Sequence, residues 1–263
     1  MSHESTILDE MNHGGLPFAY WALDEAVLTA GAKDLMLCAK GTDNGGSYVN
    51  SPTLNAQPGP IDGELGGWPL FNGSSQYTNV GTLGNLGSLL GNGLSIEAWA
   101  AAPTGGTPYA ILGGGVSGGM AVYFVLNANS SMSGVSGRVV LYVRDTDGHR
   151  RGVYTTNSVF LANVVTHFAA SFNAATQAVA IYVNGESIAD LTAGYAETAD
   201  NFSNFSLAML LGARNNNGAV QSYLSGYVGR VAIYNYVLAA DRVKAHYLAG
   251  LNETLDLRTL LAA

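Results

Sequence analysis

The chain has 263 residues, a formal net charge of −8, 48% hydrophobic residues and only 11% charged ones. Its 11 Lys and Arg are scattered apart from Arg150-Arg151, which excludes nucleic acid or an anionic membrane as the main partner, because neutralising phosphate takes a basic face. The single cysteine, Cys38, excludes an intrachain disulfide and a cysteine-built zinc site, and no run approaches the ~18 apolar residues of a spanning helix.

Met1–Gly15 lacks the basic and apolar regions of a secretory signal and is expected to form an arm outside the folded part. Strands are expected over Phe18–Leu23, Leu94–Ala100, Met120–Leu126, Arg138–Arg144, Val164–Phe172, Ala178–Asn184, Leu207–Gly212 and Gly226–Tyr236. Each alternates apolar and polar residues or is rich in β-branched and aromatic ones. Turn-rich stretches separate them at Thr104–Gly106, Asn129–Gly137, Asp145–Gly148, Asn173–Thr176 and Asn215–Gly218. This spacing, almost without helical periodicity, predicts an antiparallel sandwich or barrel. Within Ala178–Val183 both faces are rather apolar, as on a sheet covered on one side and partly occluded on the other. Asn184-Gly185 is a hairpin signal. The glycines at 113–115 and 118–119 read as loop flexibility rather than a phosphate cradle, since no helix with a following Lys appears.

One helix is expected over Asp241–Leu248, with Val243 and Tyr247 one turn apart and Gly250 as its left-handed cap. Beyond it lies a tail, Leu251–Ala263, whose Leu255, Leu257, Leu260 and Leu261 would be costly to leave in water. The expected organisation is an arm over residues 1–15, a domain over 16–250 and a tail over 251–263, both ends docked on other subunits.

In order, these segments resemble the LamG-like, concanavalin A-like superfamily from about Pro17 to Gly250. The opening aromatic strand is Tyr20-Trp21-Ala22-Leu23-Asp24-Glu25. The segment Leu70-Phe71-Asn72-Gly73-Ser74-Ser75-Gln76-Tyr77 follows, then Ser95-Ile96-Glu97-Ala98-Trp99. The later matches are His167–Asn173, Ile181-Tyr182-Val183-Asn184-Gly185, Leu211-Gly212-Ala213 and Gly226–Leu238. The resemblance implies an all-β fold: a concanavalin A-like (LamG-type) antiparallel β-sandwich jelly roll with one short C-terminal helix. Several acidic positions of the pattern are replaced here, by Asn72, Gln76, Asn173 and Gly229. That loss lowers affinity for calcium, which prefers carboxylate and carbonyl oxygens. Asp24, Glu25, Asp34 and Asp43 remain as a candidate cluster for a structural Ca2+; no other cofactor is expected.

Superfamily members that hydrolyse glycans carry closely spaced carboxylates on one strand, because hydrolysis needs an acid and a nucleophile facing one bond. Glu97 has no carboxylate at i+2 or i+4, where a same-face partner would lie. It reads as a polar residue hydrogen-bonded beside Trp99. His167 reads as a hydrogen-bonded sheet histidine, and His149 sits in a polar hairpin turn. No catalytic residues are expected and the chain reads as no enzyme.

Two binding readings compete. The first is a virion structural or decoration protein of a tailed bacteriophage, made in the host cytoplasm and displayed on the particle surface. Its terminal arms would contact capsid or tail subunits, in a homo-oligomer. Low charge, Gly/Ala/Ser/Asn richness and the absence of disulfides favour it, and jelly rolls recur in capsids and lectins. The alternative is a lectin-like adhesion module recognising cell-surface glycans. Aromatic platforms with amide partners would serve it: Trp68, Tyr109, Tyr223, Tyr123, Tyr142 and Tyr154, near Asn215, Asn216 and Asn217.

Overall fold

The computed structural model describes residue 6 and residues 15–24, 45–54, 67–83, 86–116, 118–203 and 208–261. In chain order its strands are β1 (Ala19–Trp21), β2 (Ser47–Val49), β3 (Leu70–Asn72), β4 (Tyr77–Asn79), β5 (Leu94–Ala101), β6 (Tyr109–Gly115), β7 (Ala121–Ala128), β8 (Gly134–Arg144) and β9 (Arg150–Thr155). These are followed by β10 (Thr166–Phe172), β11 (Val179–Val183), β12 (Glu186–Ser187), β13 (Leu191–Ala196), β14 (Leu210–Leu211), β15 (Arg214–Asn216), β16 (Ala219–Gln221) and β17 (Ser225–Tyr234). The strands are interrupted by the single turn α1 (Leu86–Leu89), continued as a 3-10 turn over Leu90–Asn92, and by α2 (Ala240–Leu261).

The strands form two sheets. The smaller runs β1-β17-β5-β10-β11-β12, with β3 also on β17. The larger runs β13-β9-β8-β7-β6-β14-β4-β2, and the hairpin β15–β16 joins it through a parallel pairing of β15 with β6. Every other pairing among the described residues is antiparallel, so the expected all-β antiparallel sandwich is the observed one.

Period-two patterning builds the core. In β7, Val122, Phe124 and Leu126 enter the main core, and in β8 so do Val139, Leu141 and Val143. From the smaller sheet Ile96, Ala98, Phe168 and Phe172 meet them. The intervening residues form two outer faces of different character. On the larger sheet Ala121, Tyr123, Val125, Val140 and Tyr142 make a separate apolar cluster. On the smaller sheet Trp99 packs with Trp68, and with Tyr247 and Leu251 of α2. Helix α2 thus covers the outer face of β5, which explains why all eight residues of that strand are buried.

Gly250 does not end the helix, which continues to Leu261 across the boundary expected between residues 250 and 251. A Cβ at Gly250 would lie 2.3 Å from Trp99 Cζ2. The glycine is there to let helix and sheet approach, not to cap. Gly229 has the same task beneath Trp68, whose ring would lie 2.4 Å from an added Cβ. The glycines at 113–115 likewise stand within β6 rather than in a loop.

Amides do the turn work at the positions where the sequence loses carboxylates. Asn72 Oδ1 accepts the backbone N–H groups of Ser74, Ser75 and Gln76 at 3.0, 3.0 and 3.2 Å. Gln76 Nε2 donates to the carbonyls of Asn50 and Ser51. A neutral acceptor satisfies these donors as geometry requires, with no cation needed.

Candidate functional site

The outer face of the larger sheet carries a row of aromatic rings set by strand register. Tyr123 on β7 stands directly opposite Tyr142 on β8, Tyr142 opposite Gly152 on β9, and Gly152 opposite Tyr195 on β13. The first two rings stack with centroids 5.6 Å apart, and Tyr195 meets Tyr142 edge-on at 5.4 Å. Gly152 leaves the space between them without a side chain. Stacked and edge-on pairs at these separations each stabilise by about 0.5–1.5 kcal/mol beyond burial.

A guanidinium closes each end of the row. Arg150 lies over the Tyr195 ring at 4.4 Å and Arg214 over Tyr123 at 5.4 Å. Arg214 reaches that position because Gly113, the β6 neighbour of Tyr123, has no side chain. A Cβ there would fall 2.6 Å from Arg214 Cβ. Arg150 is held by Glu197, from Nε at 3.3 Å and Nη2 at 2.9 Å.

The turn between β7 and β8 packs over this face. Asn129 Oδ1 accepts from the backbone of Ser131 and Ser133 and from the Ser131 hydroxyl at 2.7 Å. Met132 packs on the tyrosine cluster. Between turn and row lies a hollow of about 140 Å³ lined by Tyr123, Tyr142, Tyr195, Arg214 and the turn residues 130–132. That is smaller than the roughly 300–1,000 Å³ of drug-sized ligand pockets, and suits one ring or one functional group. Burial pushes the Tyr123 and Tyr142 hydroxyls up from 10.0 against the pull of nearby arginines. Burial draws the Arg214 guanidinium below its ordinary range, with only Tyr123 opposing. The hollow therefore offers ring surface, serine hydroxyls and one guanidinium.

The sequence candidates distribute unevenly around this site. Tyr123 and Tyr142 form its floor. Asn216 touches it through Tyr123, whose hydroxyl lies 3.4 Å from Asn216 Oδ1. Asn215 is buried and shapes the β15–β16 hairpin, donating to the Ala208 carbonyl and accepting from the Gly218 N–H. Asn217 is exposed in the same turn. Tyr154 stands beside the row beneath Arg138. Tyr109 packs against the main core and Tyr223 against Tyr77. Trp68 is corrected: it is wholly buried, so it has no face to offer a ligand. Tyr195 and Arg214 escaped the sequence reading, since the short Leu191–Ala196 strand contains Gly194 and carries only a weak strand signal.

Of the four calcium candidates, Asp24 is exposed, and Glu25, Asp34 and Asp43 lie outside the described residues, as does Cys38. Among the described residues no three His, Cys, Asp or Glu side chains are grouped to hold a metal ion.

A second polar constellation lies under α2. Glu97 is fully buried and accepts from Tyr234 Oη at 2.6 Å and from His246 Nδ1 at 3.0 Å on both oxygens. His167 Nε2 stands 3.4 Å away, close enough for charge attraction but without hydrogen-bond alignment. Burial alone would push the Glu97 carboxyl up. The charge of His246 and the polar contacts from both histidines outweigh it and hold the group well below 4.5. Glu97 beside Trp99 is thus a structural group, as its strand position implied, and it ties β5 and β17 to α2. His149 occupies the β8–β9 turn, its Nδ1 3.3 Å from the buried Asp145.

Residues 72–244 match the family described as the concanavalin A-like lectin/glucanases superfamily (Laminin_G_3). No curated protein sequence matches the chain. Among solved structures, the binding domain of botulinum neurotoxin DC in complex with SialylT aligns at TM-score 0.60 and 12% identity, over 89% of this chain and 51% of that one. The same toxin domain in complex with rat synaptotagmin II aligns at 0.59 and 11%, over 89% and 51%. Domain 4 of AbnA, an extracellular GH43 arabinanase from Geobacillus stearothermophilus, in complex with arabinotriose, aligns at 0.53 and 15%, over 87% and 98%. The chain spans about half the length of the toxin chains. At these identities the likeness is one of fold.

Proposed function

Because the chain belongs to the concanavalin A-like lectin/glucanases superfamily, we propose that it is a non-catalytic carbohydrate-binding module whose ligand enters the hollow on the outer face of the larger sheet. The observation that carries this reading is the arginine-bracketed tyrosine row under the serine turn. Apolar ring surface beside hydroxyl and guanidinium donors is what a sugar, with one apolar face and a rim of hydroxyls, can use.

The neighbours add support unequally. The arabinanase domain, nearly all of whose length aligns, holds arabinotriose, and the toxin domain holds SialylT. The toxin domain also holds a protein, so fold alone leaves the ligand class open and the weight rests on the site. Its chemistry argues against hydrolysis. Cleaving a glycosidic bond takes two carboxylates facing it, whereas none of the residues lining the hollow is acidic. The buried Glu97 sits on the other sheet beneath a helix.

A glycan array on the isolated chain, followed by calorimetric titration of any hit, tests the reading. Binding is expected, and Tyr195→Ala is expected to weaken it about tenfold, the worth of one ring contact. An array without hits would sink the proposal. Display on a virus particle, the setting the composition suggests, is a separate proposal, and absence from purified particles by mass spectrometry would remove it without touching glycan binding.

A further inference from the structure

We infer that the hollow selects saccharides bearing a carboxylate, with Arg214 as the group that recognises it. The inference rests on the saccharide reading above and narrows it.

The chain is acidic overall, yet the strands around the hollow are not. Strands β6, β7, β8, β9, β13 and β15 together contain Arg138, Arg144, Arg150, Arg151 and Arg214 and not one Asp or Glu. In a protein of net charge −8, these strands carry only positive charge, although Glu197 just beyond β13 pairs with Arg150 and Arg151 stands opposite the core residue Val143.

The arginines near the hollow differ in their partners, and Arg151 and Arg214 each keep a buried Nε without one. Arg150 forks onto Glu197. Arg144 donates to the backbone carbonyls of Gly119 and Val116. Arg138 lies over the Tyr154 ring at 5.3 Å. Arg214 alone lines the hollow. Its Nη2 donates to the neutral Gln221 amide at 2.9 Å, while its Nε is buried without a partner.

A guanidinium has five donors in a planar fork and stays charged in proteins. Holding it half-buried beside neutral groups is costly, and an entering anion relieves that cost. A planar carboxylate matches the fork better than a hydroxyl does, and the charge-assisted bonds are about twice as strong as neutral ones. The site then divides its labour. Arg214 takes the carboxylate, Tyr195 the ring, and Ser130 and Ser131 stand at the rim for hydroxyls.

The test compares sugars that differ in charge, by calorimetric titration of the whole chain. One pair is sialyllactose and lactose. The other is a trigalacturonate and its methyl ester. In at least one pair the acid should bind tighter by on the order of tenfold, a gap worth one charge-assisted bond. Raising salt should narrow the gap, since ion pairing is screened. The pair that responds identifies a sialate or a uronate as the source of the carboxylate. Arg214→Gln should close the gap, weakening the acid far more than the neutral sugar, with a thermal melt as the check on folding. Equal binding within both pairs would overturn carboxylate selection and leave the saccharide reading standing. No binding by any of the four sugars, with an empty array, would remove both. The wild-type comparison and its salt dependence decide the matter even if the variant fails to fold.

Discussion

Removing the Glu97 side chain tests whether the buried carboxylate is the tie between helix α2 and the smaller sheet. Glu97 accepts from Tyr234 and His246 and faces His167, all at full burial. Glu97→Ala strands the Tyr234 hydroxyl and removes the buried carboxylate that His246 and His167 face. Breaking one partner out of a buried ion pair costs about 3–5 kcal/mol. At about 2–4 °C per kcal/mol for a domain near this size, the melting temperature should fall by roughly 6–20 °C. Glu97→Gln keeps an acceptor oxygen for Tyr234 and should cost less, about 1–3 kcal/mol.

The pH dependence carries a second signature. The folded carboxyl is held below its ordinary 4.5, so on acidification the unfolded chain takes up a proton that the folded chain refuses. Stability from Glu97 is therefore fully present above the unfolded value and is lost as pH falls through the folded one. Calorimetric melts across that acid range should show the wild-type advantage over Glu97→Gln shrinking as pH drops. Glycan binding, on the opposite outer face, should be unchanged in both variants. An alanine variant melting within about 2 °C of wild type, or a constant advantage over glutamine throughout the acid range, would refute the assignment.

Gly250→Ala offers a sign reversal. In an open helix that change stabilises by about 0.5–1 kcal/mol, but here the added carbon meets Trp99, and overpacking of this kind costs about 1–3 kcal/mol. A melt should show a loss of several degrees, and a gain would contradict the close helix–sheet contact. For the binding face, burial raises the Tyr123 and Tyr142 hydroxyls above 10.0, so both stay neutral donors and titrations should give flat affinity from about pH 6 to pH 9. A tyrosinate absorbance change within that window that Tyr123→Phe or Tyr142→Phe abolishes would contradict the packing of the row.

The strands were legible where alternation was clean. In Ser95-Ile96-Glu97-Ala98-Trp99 the parity shows which residues face in, and the structure keeps it, with Ile96 and Ala98 in the core and Glu97 and Trp99 outside it. Parity cannot show what lies on the far side. Trp99 and Tyr123 are alike as outward-facing aromatic residues, yet one is sealed by α2 and the other floors a hollow. Trp68 was misread for that reason: residue type suits a platform, and only Gly229 beneath it reveals how it is packed. Local sequence reads Gly250 as a cap, and only its approach to Trp99 shows the other use of a glycine. Tyr195 and Arg214 depended on register between strands far apart in the chain, which no local window encodes.

The two outer faces decide where a ligand can go. Both begin as apolar rows on the backs of sheets that share one core, and each must be covered or used. On the smaller sheet, the charge of Glu97 is matched from above by His246 of α2, and the helix covers the face. On the larger sheet the cover is a turn rather than a helix. It leaves a hollow in which the rings are paired and most cations are paired, but the Arg214 Nε is not. An unmet donor on a charged group costs stability, and under the carboxylate proposal an anion entering beside Arg214 offsets that cost. On the saccharide proposal, substitutions at Tyr195 and Arg214 should change affinity, and those at Glu97 and Gly250 melting temperature.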